Sequence, residues 1–231
     1  LPQSRVDLLA WTTTTWSPPA NQAIAVDGNA TYVLAQTSSG ERLVVAEARL
    51  AEVELAREGC TLQVLGRAKG EALAGLTYEP PFLPLAGMPQ PAAKVITADH
   101  VTMTDGTGLV HIAPAHGADD YKAGLANGLH LYCPVTALGT FDDSVVPRLQ
   151  GKDVFAANPL IIEDLSSRGL LFHESTITHS YPHDWRSKTP VIVRATDQWF
   201  IAIDQAFKGG PGLRERAIEA VLPSPEEFPY T

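Results

Sequence analysis

The sequence predicts an α+β fold rich in short strands, its sheet strongly curved and barrel-like, with helices at the periphery. Short runs of branched and aromatic residues recur along the chain with Asp-Gly or Ser-Ser-Gly turns between them. Only a few stretches carry the helical period, and no internal repeat breaks the pattern into modules. Many short strands with few helices favour a closed or strongly bent sheet.

In chain order, VDLLAW (6–11), AIAV (23–26), TYVLAQ (31–36) and RLVVAE (42–47) read as strands. AEARLAEVELAREG places Leu50, Val53 and Leu55 or Ala56 at helical spacing and stops at Gly59, a C-terminal cap. Strands resume at TLQVLG and run toward GLTYEPPF. The stretch PFLPLAGMPQPAAK carries four prolines, too many for a central strand, and reads as a surface loop. KVITAD, HVTM and GLVHIA around the Asp105-Gly106 turn read as a hairpin. GADDYKAGLANG opens with acids and closes on Asn-Gly, a short helix with its charge on the favourable end. A further helix stops at Gly169, and LLFHESTITHSYP and TPVIVRATDQWFIAI read as long strands.

The 231 residues suffice for one large domain or a domain with an appendage, and 45% hydrophobic against 19% charged residues is a globular balance. With 17 basic and 26 acidic residues the net charge is −9, so the total charge gives no attraction for a polyanion and any nucleic-acid contact must be local. Two cysteines, Cys60 and Cys133, are too few for a tetrahedral zinc site and read as free thiols of a reducing cytosol. No apolar run reaches membrane-spanning length and no leader precedes the first strand, so the chain is expected to be intracellular, and its start without Met suggests an excised domain.

Three stretches concentrate chemistry: WTTTTWSPPAN, GTGLVHIAPAHGADDY and HSYPHDWRSKTPVIVRATDQWF. In the second, His111 and His116 stand five apart across a proline, with a glycine following and no thiolate beside them, which disfavours a metal. No Ser sits in a G-x-S-x-G elbow, which disfavours a covalent nucleophile. Two readings remain: Asp119 and Asp120 cap the helix while the histidines sit in a polar loop, or one acid points inward and holds a cationic ligand group. For the threonines, strand alternation would send Thr12 and Thr14 to one face and Thr13 and Thr15 to the other. Four buried hydroxyls are costly unless bonded, so a strand end lining a polar pocket fits them best.

Together these stretches resemble the editing domain inserted in isoleucyl-tRNA synthetase, whose pattern runs W-T-T-T-P-W-T-L-P-A-N, G-T-G-x-V-H-x-A-P-x-x-G-x-D-D-Y, S-Y-P-x-x-W-R-x-K-T-P and R-A-x-x-Q-W-F. The matching stretches lie at 11–21, 106–121, 180–190 and 194–200, in order over nearly the whole chain. Valyl and leucyl relatives usually carry T-T-R-P at the threonine site. The resemblance implies a hydrolase that removes valine from valyl-adenylate or from the 3′ end of isoleucine tRNA by a positioned water, with no cofactor. It implies that Asp120 binds the substrate α-ammonium, that His111 limits the pocket, that Thr12, Thr13 and Thr14 with Trp11 contact the adenosine and acyl region and place water, and that Asn21 supports the loop.

Its implied partners are the tRNA 3′ end, valyl-adenylate or valyl-adenosine, and the catalytic domain of a parent synthetase; the domain is taken as a cytoplasmic monomer. Residues 1–205 would form the editing domain and 206–231 a segment leading back to the catalytic domain. H-I-G-H and K-M-S-K-S signatures are missing, so the chain is expected to edit but not to charge tRNA. Thr15 stands where the family has Pro, and SPP replaces T-L-P, which frees Thr14 and should hold Ser17 extended before Pro18. Asp184 and Ser187 occupy positions where some relatives carry cysteine, so no zinc is expected. The rival readings are a tRNA-end binding module without hydrolysis and a valyl-type editing domain acting on threonyl-tRNA.

Overall fold

The computed structural model describes residues 5–82, 92–178, 180–206 and 208–222. Most of the predicted proline loop (83–91) and residues 223–231 lie outside them. Two compact units are present, Leu1–Ala195 and Thr196–Thr231, and among its described residues the second carries helix α5 (Leu213–Val221).

The first unit contains two sheets. One holds β1 (Asp7–Leu8), β4 (Arg42–Ala46), β3 (Thr31–Thr37) and β5 (Leu62–Lys69), in the order β1-β4-β3-β5. The other places β2 (Ala23–Val26) between β6 (Lys94–Thr97), to which it is parallel, and β7 (Leu109–Ile112), to which it is antiparallel. Pairings among the described residues give these two sheets rather than one closed barrel. Helices α1 (Leu50–Ala56), α2 (Gly70–Leu73), α3 (Ala118–Ala126) and α4 (Asn158–Ser167) complete the unit.

β2 explains the arrangement. All four of its residues are buried; Ala23 and Ala25 pack with Ile96, Val101 and Ile112, while Ile24 and Val26 pack with Tyr32, Val95 and Leu109. A strand enclosed on both faces must have both edges paired, because its backbone groups find no water. β6 and β7 therefore flank β2 instead of forming the hairpin predicted between them, and the HVTM stretch is not a strand.

The VDLLAW run serves both sheets. Its first residues pair with β4 and Leu9 N–H donates to Val44 O; Trp11 N–H then donates to Leu109 O and Trp11 bridges to Val110. The segment thus crosses from one sheet to the other and delivers the threonines to the end of β7.

The helix predicted before Gly59 ends at Ala56, and Gly59 forms a turn at φ +73°. Among the described residues the two long strands predicted after Gly169 do not form: 170–178, 180–182 and 189–203 carry branched side chains, but the single bridge there is that of Pro190 to His183. Val191, Val193 and Trp185 are exposed, and strand propensity without a neighbouring sheet to pack on does not make a strand.

Candidate functional site

The polar residues singled out in the first two motifs converge where β7 ends. Trp11 lies along β7, and its ring occupies the space over Gly106, where an added Cβ would come within 2.5 Å of it. Gly106 also has φ +63°, so two independent constraints select glycine there.

Residues 12–17 are not a strand, and the predicted alternation of the threonines does not hold. Thr12 folds the chain: its Oγ1 accepts from Thr14 N–H at 3.0 Å, a local turn that releases the backbone from any ladder. Among the described residues the hydroxyls of Thr13, Thr14 and Thr15 bond to no protein group, so three of the four remain available. Trp16 instead drops into the core beside Phe82, Phe141 and Val154.

Ser17 does not adopt the extended backbone expected before proline; it has φ −83° and ψ −22°. Three hydrogen bonds hold it there: Ser17 N–H and Oγ–H both donate to Thr14 O, at 3.1 and 2.9 Å, and Ala20 N–H donates to Ser17 O at 2.8 Å.

His111 stands on β7 opposite Ile24, partly buried and not in a polar loop. Ser17 Oγ lies 3.0 Å from its Nε2, and Asn21 Nδ2 lies 2.7 Å from its Nδ1. The proton positions follow from the fixed acceptors. Ser17 gives its only proton to Thr14 O, so it accepts from His111 Nε2–H. Asn21 Nδ2 donates to Ala23 O at 3.0 Å and with its second hydrogen to His111 Nδ1, while Asn21 Oδ1 accepts from the Tyr78 hydroxyl. His111 is therefore neutral and protonated on Nε2. Burial, with His116 nearby, pushes its pKa down to about 4, in keeping with that network.

Asp120 does not cap α3, which has no side-chain cap; its Oδ2 accepts from Ala113 N–H at 2.9 Å, just past the end of β7 and two residues beyond His111. Its other oxygen has no hydrogen-bond partner among the described residues. Burial raises its pKa above the usual carboxylate range, against the opposing influence of the Ala113 N–H and His100. Asp119 is exposed and pairs with Lys122 at 3.1 Å. The approach of α3 depends on Gly124, whose added Cβ would lie 2.8 Å from Pro114 Cβ. A helix glycine costs up to about 1 kcal/mol, which close packing here offsets.

His116 donates from Nδ1 to Val193 O at 3.0 Å and meets the Trp16 ring edge-on at 5.1 Å. Its Nε2 and that of His100 are buried without a partner among the described residues. No group of three or more metal-ligating side chains occurs among the described residues, and no helix there is long and apolar enough to cross a membrane.

Sequence reasoning missed Ser17 as a partner of His111 and missed Tyr78 altogether. Ser17 lies 94 residues from His111, and Tyr78 lies 57 from Asn21 in a run that reads as ordinary strand. A short hydroxyl beside proline was the one visible signal for Ser17; none marked Tyr78.

The chain is 47% identical over 214 residues to an isoleucine–tRNA ligase of Chromobacterium violaceum and 43% identical over 225 residues to that of Methylococcus capsulatus. These matches cover 91% and 96% of the chain but 22% of each relative, so the chain spans about a fifth of their length. No protein-family model matches. In fold it is similar to the crystal structure described as GlLeuRS-CP1, with a TM-score of 0.58 at 14% identity over 77% of this chain and 87% of that one. The Plasmodium knowlesi cytosolic leucyl-tRNA synthetase editing domain gives 0.52 at 12% identity over 72% and 82%. Sequence and fold together make the chain a member of the isoleucine–tRNA ligase family, corresponding to a segment with the architecture of the synthetase editing domain.

Proposed function

We propose that this chain hydrolyses valine wrongly attached by an isoleucine–tRNA ligase, as valyl-adenylate or as valyl ester on the 3′-terminal adenosine of isoleucine tRNA. The observation that carries this reading is the pairing of an anchored carboxylate, Asp120, with a neutral imidazole, His111, that is bonded at both nitrogens. Asp120 keeps one oxygen for the α-ammonium of an amino acid, and that contact would lower its raised pKa and hold it ionised. A fixed His111 ring supplies a wall that does not yield to one more methylene. Such a second sieve is needed because a missing methylene is worth only about 1–3 kcal/mol at a first site, isoleucine against valine being the standing example of that limit.

In the tRNA reaction, water adds to the ester carbonyl carbon. The acyl C–O bond breaks, one water proton goes to the departing ribose oxygen, and valine leaves as its carboxylate with the second proton released to solvent. The free hydroxyls of Thr13 and Thr14 are suited to orient the water and to donate to the developing oxyanion, and no covalent nucleophile is required. Trp11, partly exposed beside them, offers a flat surface to the adenosine. The exposed Trp199, Phe200 and Ile201 support cover by the catalytic body of a whole enzyme, toward which residues 206–231 would lead.

The test is deacylation of valyl-tRNA by this chain, with isoleucyl-tRNA and threonyl-tRNA alongside. Valyl ester should be cleaved, Asp120→Ala should abolish cleavage, and His111→Ala should admit isoleucyl ester. A wild-type rate in the Asp120 variant removes the ammonium contact from the account, while analogue binding without turnover assigns a holding module in place of a hydrolase.

A further inference from the structure

The ladder fixes Trp11 only at its backbone, where the N–H donates to Leu109 O at 2.9 Å. The ring needs a second support. Gly106 provides it: an added Cβ there would lie 2.5 to 2.8 Å from three ring atoms, so the indole rests directly on the glycine. Gly106 ends the bend 103–106 that precedes β7 and belongs to no ladder. What holds this bend comes from the other sheet. Arg49, the last residue of the 3-10 turn Glu47–Arg49 between β4 and α1, reaches both ends of it: Nε–H donates to Gly106 O at 3.0 Å and Nη1–H to Met103 O at 3.4 Å. No other group among the described residues donates to either carbonyl.

The Arg49 side chain is only 14% exposed, and its ion pair to Glu52, at 3.3 Å, has a half-exposed partner and adds little. The guanidinium is thus engaged chiefly with the two carbonyls, which it meets through charge-assisted bonds. A planar fork can serve both from one side chain; the point charge of a lysine cannot. We propose that Arg49 is a positioning residue that fixes the Trp11 indole by clamping the bend beneath it. Its bearing on the site rests on reading Trp11 as the surface for the adenosine, because a ring without its bed would present no defined face to a base.

The experiment reads two quantities on this chain: the ¹⁹F spectrum after fluorotryptophan labelling, with the Trp11 line assigned by Trp11→Phe, and the affinity for a non-hydrolysable valyl-adenosine amide. Arg49→Met keeps an apolar stem and loses the fork. It should move or broaden the Trp11 line and leave in place that of Trp16, which is buried in the core. It should also weaken the analogue by about three- to tenfold, within the worth of one base stacked on an aromatic ring. In a Trp11→Ala background the same substitution should weaken it no further, because two residues acting through one contact are not additive. Arg49→Lys should recover only part of the loss. A Trp11 line that stays put, or a Trp16 line that moves as far, overturns the proposal. So does a full effect in the Trp11→Ala background or complete recovery by lysine, either of which assigns Arg49 a charge contact with the ligand. If Arg49→Met fails to fold, Arg49→Lys decides: an unmoved Trp11 line overturns the proposal. Trp11→Ala alone separates the two claims. Unchanged affinity in that variant, with the Trp11 line moved by Arg49→Met, upholds Arg49 and defeats the adenosine surface, whereas an unmoved line defeats Arg49 whatever the affinity.

Discussion

On the His111 side of the site, both ring nitrogens and all three polar hydrogen-bonding positions of Asn21 are bonded to protein. Elsewhere among the singled-out residues, one Asp120 carboxylate oxygen and the hydroxyls of Thr13, Thr14 and Thr15 have no protein partner among the described residues. The first wall is finished by folding; the second is left for a ligand to complete. On the proposed reading the site must reject a larger side chain, which needs rigidity where it excludes and unspent hydrogen-bonding capacity where it binds. The unspent capacity lowers stability, since a carboxylate that burial disfavours gains nothing until a cation arrives.

The sharpest way to break this contrast is Asp120→Asn. It keeps the acceptor for Ala113 N–H but removes the charge, so ester cleavage should fall by about 100-fold or more while the melting temperature stays level or rises. A parallel fall in melting temperature would show that Asp120 is structural. Acidification probes the other wall. His111 in the fold has its pKa depressed to about 4, so between pH 6.5 and 4 the unfolded chain binds the proton more readily. The stability it contributes is intact above about pH 6.5 and is lost as pH falls toward 4, by up to about 3 kcal/mol. Denaturant midpoints measured across that window should show the slope, and His111→Ala should flatten it. His116, whose pKa is also lowered by burial, adds in the same direction.

Gly124→Ala presses α3 away from Pro114 and should cost about 1–3 kcal/mol in denaturant unfolding, with cleavage reduced because Asp120 rides on that helix. The smallest pair separates turn from rim: Thr12→Val loses the bond that folds residues 12–14, about 1 kcal/mol, whereas Thr13→Val should change stability by less than about 0.5 kcal/mol yet slow cleavage. Equal stability effects would erase the distinction between the two threonines.

β2, β3 and β4 were legible because their period and flanking turns are local. The placement of β6 and β7 on opposite edges of β2 was not, since only the need to pair both edges of a doubly buried strand decides it. The runs after Gly169 misled because their branched residues carry strand propensity with no sheet to receive them. Asp120, His111, Asn21 and the threonines were singled out by motif order. Their partners were not, because Ser17 and Tyr78 acquire their roles only through contacts across 94 and 57 residues.

The segment that begins at Asp7 in one sheet and reaches the other at Trp11 works as a coupler between them. Ala10 N–H donates to Leu8 O at 2.9 Å, a tight turn between the two pairings, so deleting either of the two residues between Leu8 and Trp11 would remove the turn and force the rim out of place on one of the two ladders. On the proposed reading, alignment of the site is thereby written in the length of a two-residue crossing, a quantity that selection can tune without touching any residue proposed to meet the substrate.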